Sequence, residues 1–158
     1  MKKYMLFLVL ASLLLSACNH SNGQEGHGIE SDFPKVTKPY RSEKAIQNGD
    51  VVNVHGTYTN LDKWHQFIES VKANQTGNIR ITQYTIEGDP IFYELTYNGK
   101  LIKYTFDNSM DAFGSDLRRP STTCKGLEKK KREQDLEGYV LTGCDSKQTA
   151  QTFWFVDK

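Results

Sequence analysis

The sequence predicts an α+β domain: a hairpin-rich antiparallel sheet of about five to six strands with one main amphipathic helix packed on one face. Three observations carry this. Leu61, Trp64, Phe67, Ile68 and Val71 recur at three- and four-residue spacing, the period of one helix face. Asn98-Gly99, a pair tolerant of positive φ, stands between two runs of alternating residues, the mark of a β-hairpin. Cys124 and Cys144 are equidistant from Gln134, so a hairpin centred there sets them face to face.

Ahead of the domain lies a targeting segment. Met1-Lys2-Lys3 is basic, an apolar run from Tyr4 to Leu15 follows, and Ser16-Ala17 are small, the order of a secretory signal peptide over residues 1–17. A spanning helix takes about 20 apolar residues, so this shorter run is expected to be removed. Leu15-Ser16-Ala17-Cys18 resembles the lipobox of bacterial lipoproteins, in which the cysteine thiol takes a diacylglyceryl group and becomes the first residue. Each buried methylene contributes about 0.8 kcal/mol and one chain anchors only marginally, so two or more acyl chains make the attachment durable. Residues 18–40, rich in Gly, Ser, Asn, Glu and His, offer almost nothing to bury and read as a disordered tether.

The domain is expected over residues 41–158. Ser42-Glu43-Lys44-Ala45 starts a short helix that Asn48-Gly49 stops, and Val51 to Val54 is a candidate strand. Asn60 is placed to cap the amphipathic helix, its side chain accepting from the first-turn amides, and that helix runs to about Ala73. Aromatic residues at this spacing point to core, so Trp64 and Phe67 are assigned inward. The strand Ile79 to Ile86 is ambiguous in facing, since Ile79 and Ile81 point one way and Tyr84 and Ile86 the other, a conflict that a bulge would reconcile. A two-residue turn at Asn98-Gly99 pairs Tyr97 with Lys100, Leu95 with Ile102, Tyr93 with Tyr104 and Ile91 with Phe106, and sets Glu94 opposite Lys103 as an ion pair. Ser121 to Lys129 and Gly138 to Cys144 form the second hairpin, and Thr152 to Val156 a last strand.

With one of three cysteines given to lipid, Cys124 and Cys144 remain as a pair in a compartment where disulfides persist, and without a nearby His or C-x-x-C spacing they make a poor zinc site. Removing residues 1–17 takes the formal charge from +1 to about −1, which leaves no global electrostatic case for nucleic acid. The sequence holds no G-x-S-x-G, P-loop or H-E-x-x-H, His55 and His65 stand alone, and no cofactor is expected. Asp107-Asn108-Ser109-Met110-Asp111-Ala112 begins like a calcium loop but has Ala112 where glycine is needed and Arg118 where the closing glutamate belongs, so no metal is expected. Lys129-Lys130-Lys131-Arg132 is basic enough to touch anionic headgroups or wall polymers, yet its acidic neighbours favour a solvated hairpin tip.

Asn48 to Gly56, Ile79 to Thr85, Glu87 to Ile91, Tyr104 to Ser109 and Ser121 to Cys124 together resemble a family of Bacillus-type lipoproteins known only as a domain of unknown function, over about Ser42 to Val156. The resemblance implies a Gram-positive host and the outer face of its cytoplasmic membrane, and supplies no catalytic residues. Without a catalytic constellation, the expectation is a non-catalytic binding module for an envelope protein, peptide or wall component. The alternative is an envelope hydrolase using paired carboxylates such as Asp50, Asp89, Asp107 or Asp111. The candidate binding loop is Asp107 to Pro120, long and without a period, with Asp107, Asp111, Arg118 and Arg119 outward and Phe113 packing to pin it.

Overall fold

The computed structural model describes residues 33–132 and 136–157; Cys18, the expected signal peptide, most of the expected tether and Gln134 lie outside the described residues. The first helix, α1 (Ser42–Gln47), ends where expected. Gly49 adopts φ 84° and its amide donates to Ile46 O, while the Asp50 amide reaches back to Ala45 O. These two bonds satisfy the last carbonyls of the helix and turn the chain into β1 (Val51–Val54).

After β2 (Thr57–Thr59), helix α2 (Leu61–Lys72) starts at Asn60, but by a different device from the one expected. Asn60 is itself left-handed (φ 60°) and its side chain caps no amide. Its Nδ2 instead donates to Ile46 O and Asp50 O, at 3.1 and 2.9 Å, tying the end of α1 to the start of α2. Trp64, Phe67 and Ile68 are buried, as their spacing requires.

The fold class is α+β, with a correction to the sheet: it is mixed rather than antiparallel. Its six strands run β2-β1-β3-β4-β5-β6, where β3 is Gly77–Tyr84, β4 Pro90–Tyr97, β5 Ile102–Asp107 and β6 Ser121–Cys124. β1 and β3 are parallel because α2 carries the chain back before β3 begins. The facing of β3 needs no bulge, since its pairing with β4 is unbroken from Gly77↔Tyr97 to Tyr84↔Pro90. Both of its faces are covered: Ile79 and Ile81 join the core under α2, and Tyr84 joins a second core with Tyr40, Ala45, Val52 and Phe92. Ile86 lies beyond the strand and is 87% exposed.

That second core corrects the tether. Its described part, residues 33–40, lies against the sheet; Tyr40 is only 3% exposed, and Val36 packs beside it. A segment poor in apolar residues can still be ordered when the few it has meet a waiting face.

The first hairpin is shifted by two residues. Tyr97 pairs with Ile102, Leu95 with Tyr104 and Tyr93 with Phe106. Asn98 Oδ1 accepts from the amides of Lys100 and Leu101, so the connection is longer than the two-residue turn. A shift of two keeps every side chain on its face, which is why the apolar side was right while Glu94 faces Thr105 instead of Lys103. The second hairpin has the expected register: β7 (Gly126–Lys131) pairs with β8 (Glu137–Thr142) from Gly126↔Thr142 to Lys131↔Glu137, and Cys124 and Cys144 are disulfide-bonded. Its first strand breaks at Lys125, however, because β6 pairs with β5 while β7 leaves to form a two-stranded sheet. The last expected strand is reduced to one bridge, Tyr139 with Phe155, preceded by an unexpected short helix, α3 (Lys147–Ala150), capped by Ser146. Phe153 and Phe155 turn inward to pack around Trp64 rather than extend a ladder.

Candidate functional site

Three connections gather at one end of the large sheet. β1 and β3 finish together at Val54 and Tyr84, and β5 finishes where β4 starts, at Asp107 opposite Phe92. The His55-Gly56 turn, the Thr85–Asp89 turn and the Asp107–Pro120 loop therefore emerge side by side. Hydrogen bonds join them: His55 Nε2 lies 3.0 Å from Thr85 O, and Asp89 Oδ2 accepts from the Ala112 amide at 2.8 Å.

On the sheet face covered by α1 and residues 33–40, level with the start of β1, runs a buried polar network. The Arg80 Nε donates to both oxygens of Asp50 at 2.9 and 3.0 Å, and its terminal nitrogens donate to Pro34 O and Tyr40 Oη, each at 2.9 Å. Tyr40 and Thr82 hydroxyls also donate to Asp50, at 2.9 and 2.7 Å. The guanidinium lies within 6 Å of the ring centres of Phe33, Tyr40 and Phe92, at 5.6, 5.5 and 5.8 Å. Burial opposes the Arg80 charge, but the hydrogen bond and charge of Asp50, joined by Tyr40 and Glu94, outweigh it and raise the pKa further. Arg80 and Asp50 are each 2% exposed, and the pair fastens residues 33–40 to the sheet. Its sequence signal was an arginine between Ile79 and Ile81 in an otherwise buried strand; the reading by apolar period passed over it.

Nearer the surface the network opens into a cleft of about 340 Å³. Phe33, Val36 and Met110 give it apolar walls; Glu94, Asp107 and Arg119 give it charge. Arg119, 58% exposed, spans the two carboxylates, its Nη2 2.8 Å from Glu94 and its Nε 2.9 Å from Asp107. Among the expected loop residues, the structure thus unites Asp107 with Arg119 and adds Glu94, which sequence reasoning had assigned to Lys103.

The other loop residues stand apart from the cleft. Asp111 Oδ1 accepts from the Phe113 amide, and Arg118 pairs with Asp116 at 3.1 Å while its buried Nε has no partner. Phe113 does not pin the loop; it is 77% exposed. Asn108 does that work instead: Oδ1 accepts from the Arg118 amide at 2.8 Å and Nδ2 donates to Asp116 O at 3.0 Å, closing the base of the loop. With the backbone fixed by polar bonds, Phe113 and Leu117 are left pointing into water, and Ile86 on the adjoining turn does the same. Among the described residues no group of three or more His, Cys, Asp or Glu is placed to hold a metal ion.

Of the carboxylates proposed for hydrolysis, Asp107 alone lines this cleft. Asp50 is sealed under Arg80, and Asp89 and Asp111 hold loop amides.

Residues 48–138 match a family described as Domain of unknown function (DUF4362). No curated protein and no solved structure matches the chain.

Proposed function

The chain belongs to the DUF4362 family, a domain of unknown function, and we propose that it is a non-catalytic binding module of a Gram-positive lipoprotein, held by lipid on Cys18 at the outer face of the cytoplasmic membrane. Its contact surface is the sheet end formed by the Thr85–Asp89 turn and the Asp107–Pro120 loop, and its partner is an envelope protein, peptide or wall component. One observation carries the location: Ile86, Phe113 and Leu117 are 87%, 77% and 50% exposed on connections that polar bonds already hold in place. A large apolar side chain kept in water by an ordered backbone is poised to be covered by a partner, where aromatic anchors contribute most. The signal segment and Leu15-Ser16-Ala17-Cys18 support the anchoring.

A photo-crosslinking amino acid at position 113, in the native envelope, tests this. Discrete adducts that disappear with Ile86→Asp are expected, whereas position 101, at the other end of the sheet, should give none. Equal labelling from both positions, or none from 113, would overturn the reading.

A second reading has its own observation. Glu94 and Asp107 share one guanidinium in a cleft, close enough to flank a scissile bond of an envelope polymer. Hydrolysis of wall glycan by the purified protein, abolished in both Glu94→Gln and Asp107→Asn, would establish that reading in place of the first.

A further inference from the structure

Another concavity, of about 350 Å³, opens beside the two-stranded sheet, between β8 and α3. Its composition sets it apart. Val140, Leu141, Ala150 and Phe153 line it, and among the described residues its charged lining is Lys130, Arg132 and Lys147, all cationic. In the cleft on the large sheet, by contrast, Arg119 is paired with Glu94 and Asp107, which line the same cleft.

The chain gathers these cations by simple means. Alternation along β7 divides the basic run, so Lys129 turns to Asp157 at 3.1 Å while Lys130 and Arg132 fall on the cleft side. Arg132 stacks 3.9 Å above the Trp154 ring. That ring lies so close over Gly138 that a Cβ there would come within 2.5 Å of it, so glycine is what permits the stack. Stacking uses the face of the guanidinium and leaves its N–H edge available. Lys147 comes from α3, and among the described residues neither it nor Arg132 has a carboxylate within ion-pair distance. Lys130 lies 3.7 Å from Glu128, but both side chains are more than half exposed, so that pair contributes little.

We infer that this cleft binds an anionic amphiphile. Its apolar chain lies against Val140 and Ala150, and its carboxylate or phosphate head meets Arg132 and Lys147. Apolar wall alone would accept any hydrocarbon. The uniform rim decides the sign, because a chain that displaces water would leave the cations unmatched unless it brought a negative charge with it. A guanidinium edge also suits the paired oxygens of carboxylate and phosphate. Cys144 lines the cleft, so its disulfide to Cys124 holds one wall in place. The inference is independent of the contact surface at the far sheet end.

Titration of the purified protein with dodecyl phosphate below its micelle concentration, followed by calorimetry and by amide chemical shifts, tests it. Saturable one-to-one binding is expected, with shifts centred on Leu141, Ala150 and Lys147, weakening at high salt. The double substitution Arg132→Glu with Lys147→Glu should weaken it about tenfold or more with the melting temperature preserved. Ala150→Leu, which narrows the cleft without touching charge, should weaken it as well. Sedimentation with phosphatidylglycerol vesicles identifies the source: co-sedimentation lost in the charge-reversed protein assigns the head to a bilayer lipid, and monomer binding without co-sedimentation assigns it to a free amphiphile. Equal affinity for dodecyltrimethylammonium, undiminished binding after charge reversal, or no binding of dodecyl phosphate would overturn the inference.

Discussion

Arg80 shows what a buried charge does in this molecule. Its three nitrogens donate to Asp50, Pro34 O and Tyr40, so removing it leaves the Asp50 carboxylate, 2% exposed, without its counter-charge. Breaking one side of such a pair costs about 3–5 kcal/mol. Arg80→Met should lower the urea unfolding free energy by that amount, and Asp50→Asn added to it should restore part of the loss; an equal or larger loss in the double variant would contradict the uncompensated-charge argument. The neighbouring phenols supply a pH signature. Burial, with the nearby charges of Tyr40 and Asp50, raises the Tyr84 pKa above its ordinary value of 10.0, and burial raises Tyr40 and Tyr104 likewise. A proton held more tightly in the fold stabilises it fully below the unfolded pKa of 10.0, and that contribution is lost as pH rises toward the folded value. Stability should therefore fall from about pH 10 upward. Tyr84→Phe, which loses the 2.9 Å bond to Tyr40 O, should cost about 1 kcal/mol near neutral pH and show a shallower alkaline decline. Parallel alkaline curves for the two proteins would remove Tyr84 from that role.

Among the elements, legibility followed the kind of information each needed. α2 was readable because one face is buried and the other wet, which writes a period into the residues; its Asn60 start was readable too, but not that the side chain would bridge two helices, since Ile46 and Asp50 are brought there by the tertiary fold. The Asn98 hairpin gave its faces but not its partners, because alternation is blind to a slip of two, and only the Asn98 side chain's grip on the Lys100 and Leu101 amides selects the longer turn. β3 could not be oriented at all from one apolar face because it has two. In the second hairpin the cysteines supplied the missing constraint, and the register was right across the break at Lys125. The bond there joins residues 20 apart. Closing a loop of this size stabilises by about 3 kcal/mol. Cys124→Ser with Cys144→Ser should lower stability by that much, and because Cys124 is fully buried, Ser there adds a further polar cost that Cys124→Ala would spare. Two free thiols in the folded, oxidised protein by mass spectrometry would refute the pairing.

At the scale of the molecule, the sheet is a layer covered twice, by α2 on one face and by α1 with residues 33–40 on the other. The site followed the same logic as the fold: the Asp107–Pro120 loop was legible as irregular, whereas its meeting with Glu94 and the Thr85–Asp89 turn depends on which strands lie adjacent, and no local pattern encodes that. The sharpest consequence concerns the domain's beginning. A chain starting at Ser42 would retain every helix and strand described, yet lose Tyr40 from the second core and two of the acceptors around Arg80, Pro34 O and Tyr40 Oη. Burial of one large side chain contributes about 1.5–3 kcal/mol, and each unsatisfied buried donor costs about 1–3 kcal/mol. The chain starting at Ser42 should thus be less stable than one starting at Phe33 by about 3 kcal/mol or more, enough to lower the melting temperature by several degrees. Amide exchange should locate the loss in β3 and β4 around Thr82 and Phe92, where the second core lies, while α2 and the first core stay protected to the global limit. If the two chains instead melt together, residues 33–41 contribute no net stability, and the domain begins with α1 as its local signals first suggested.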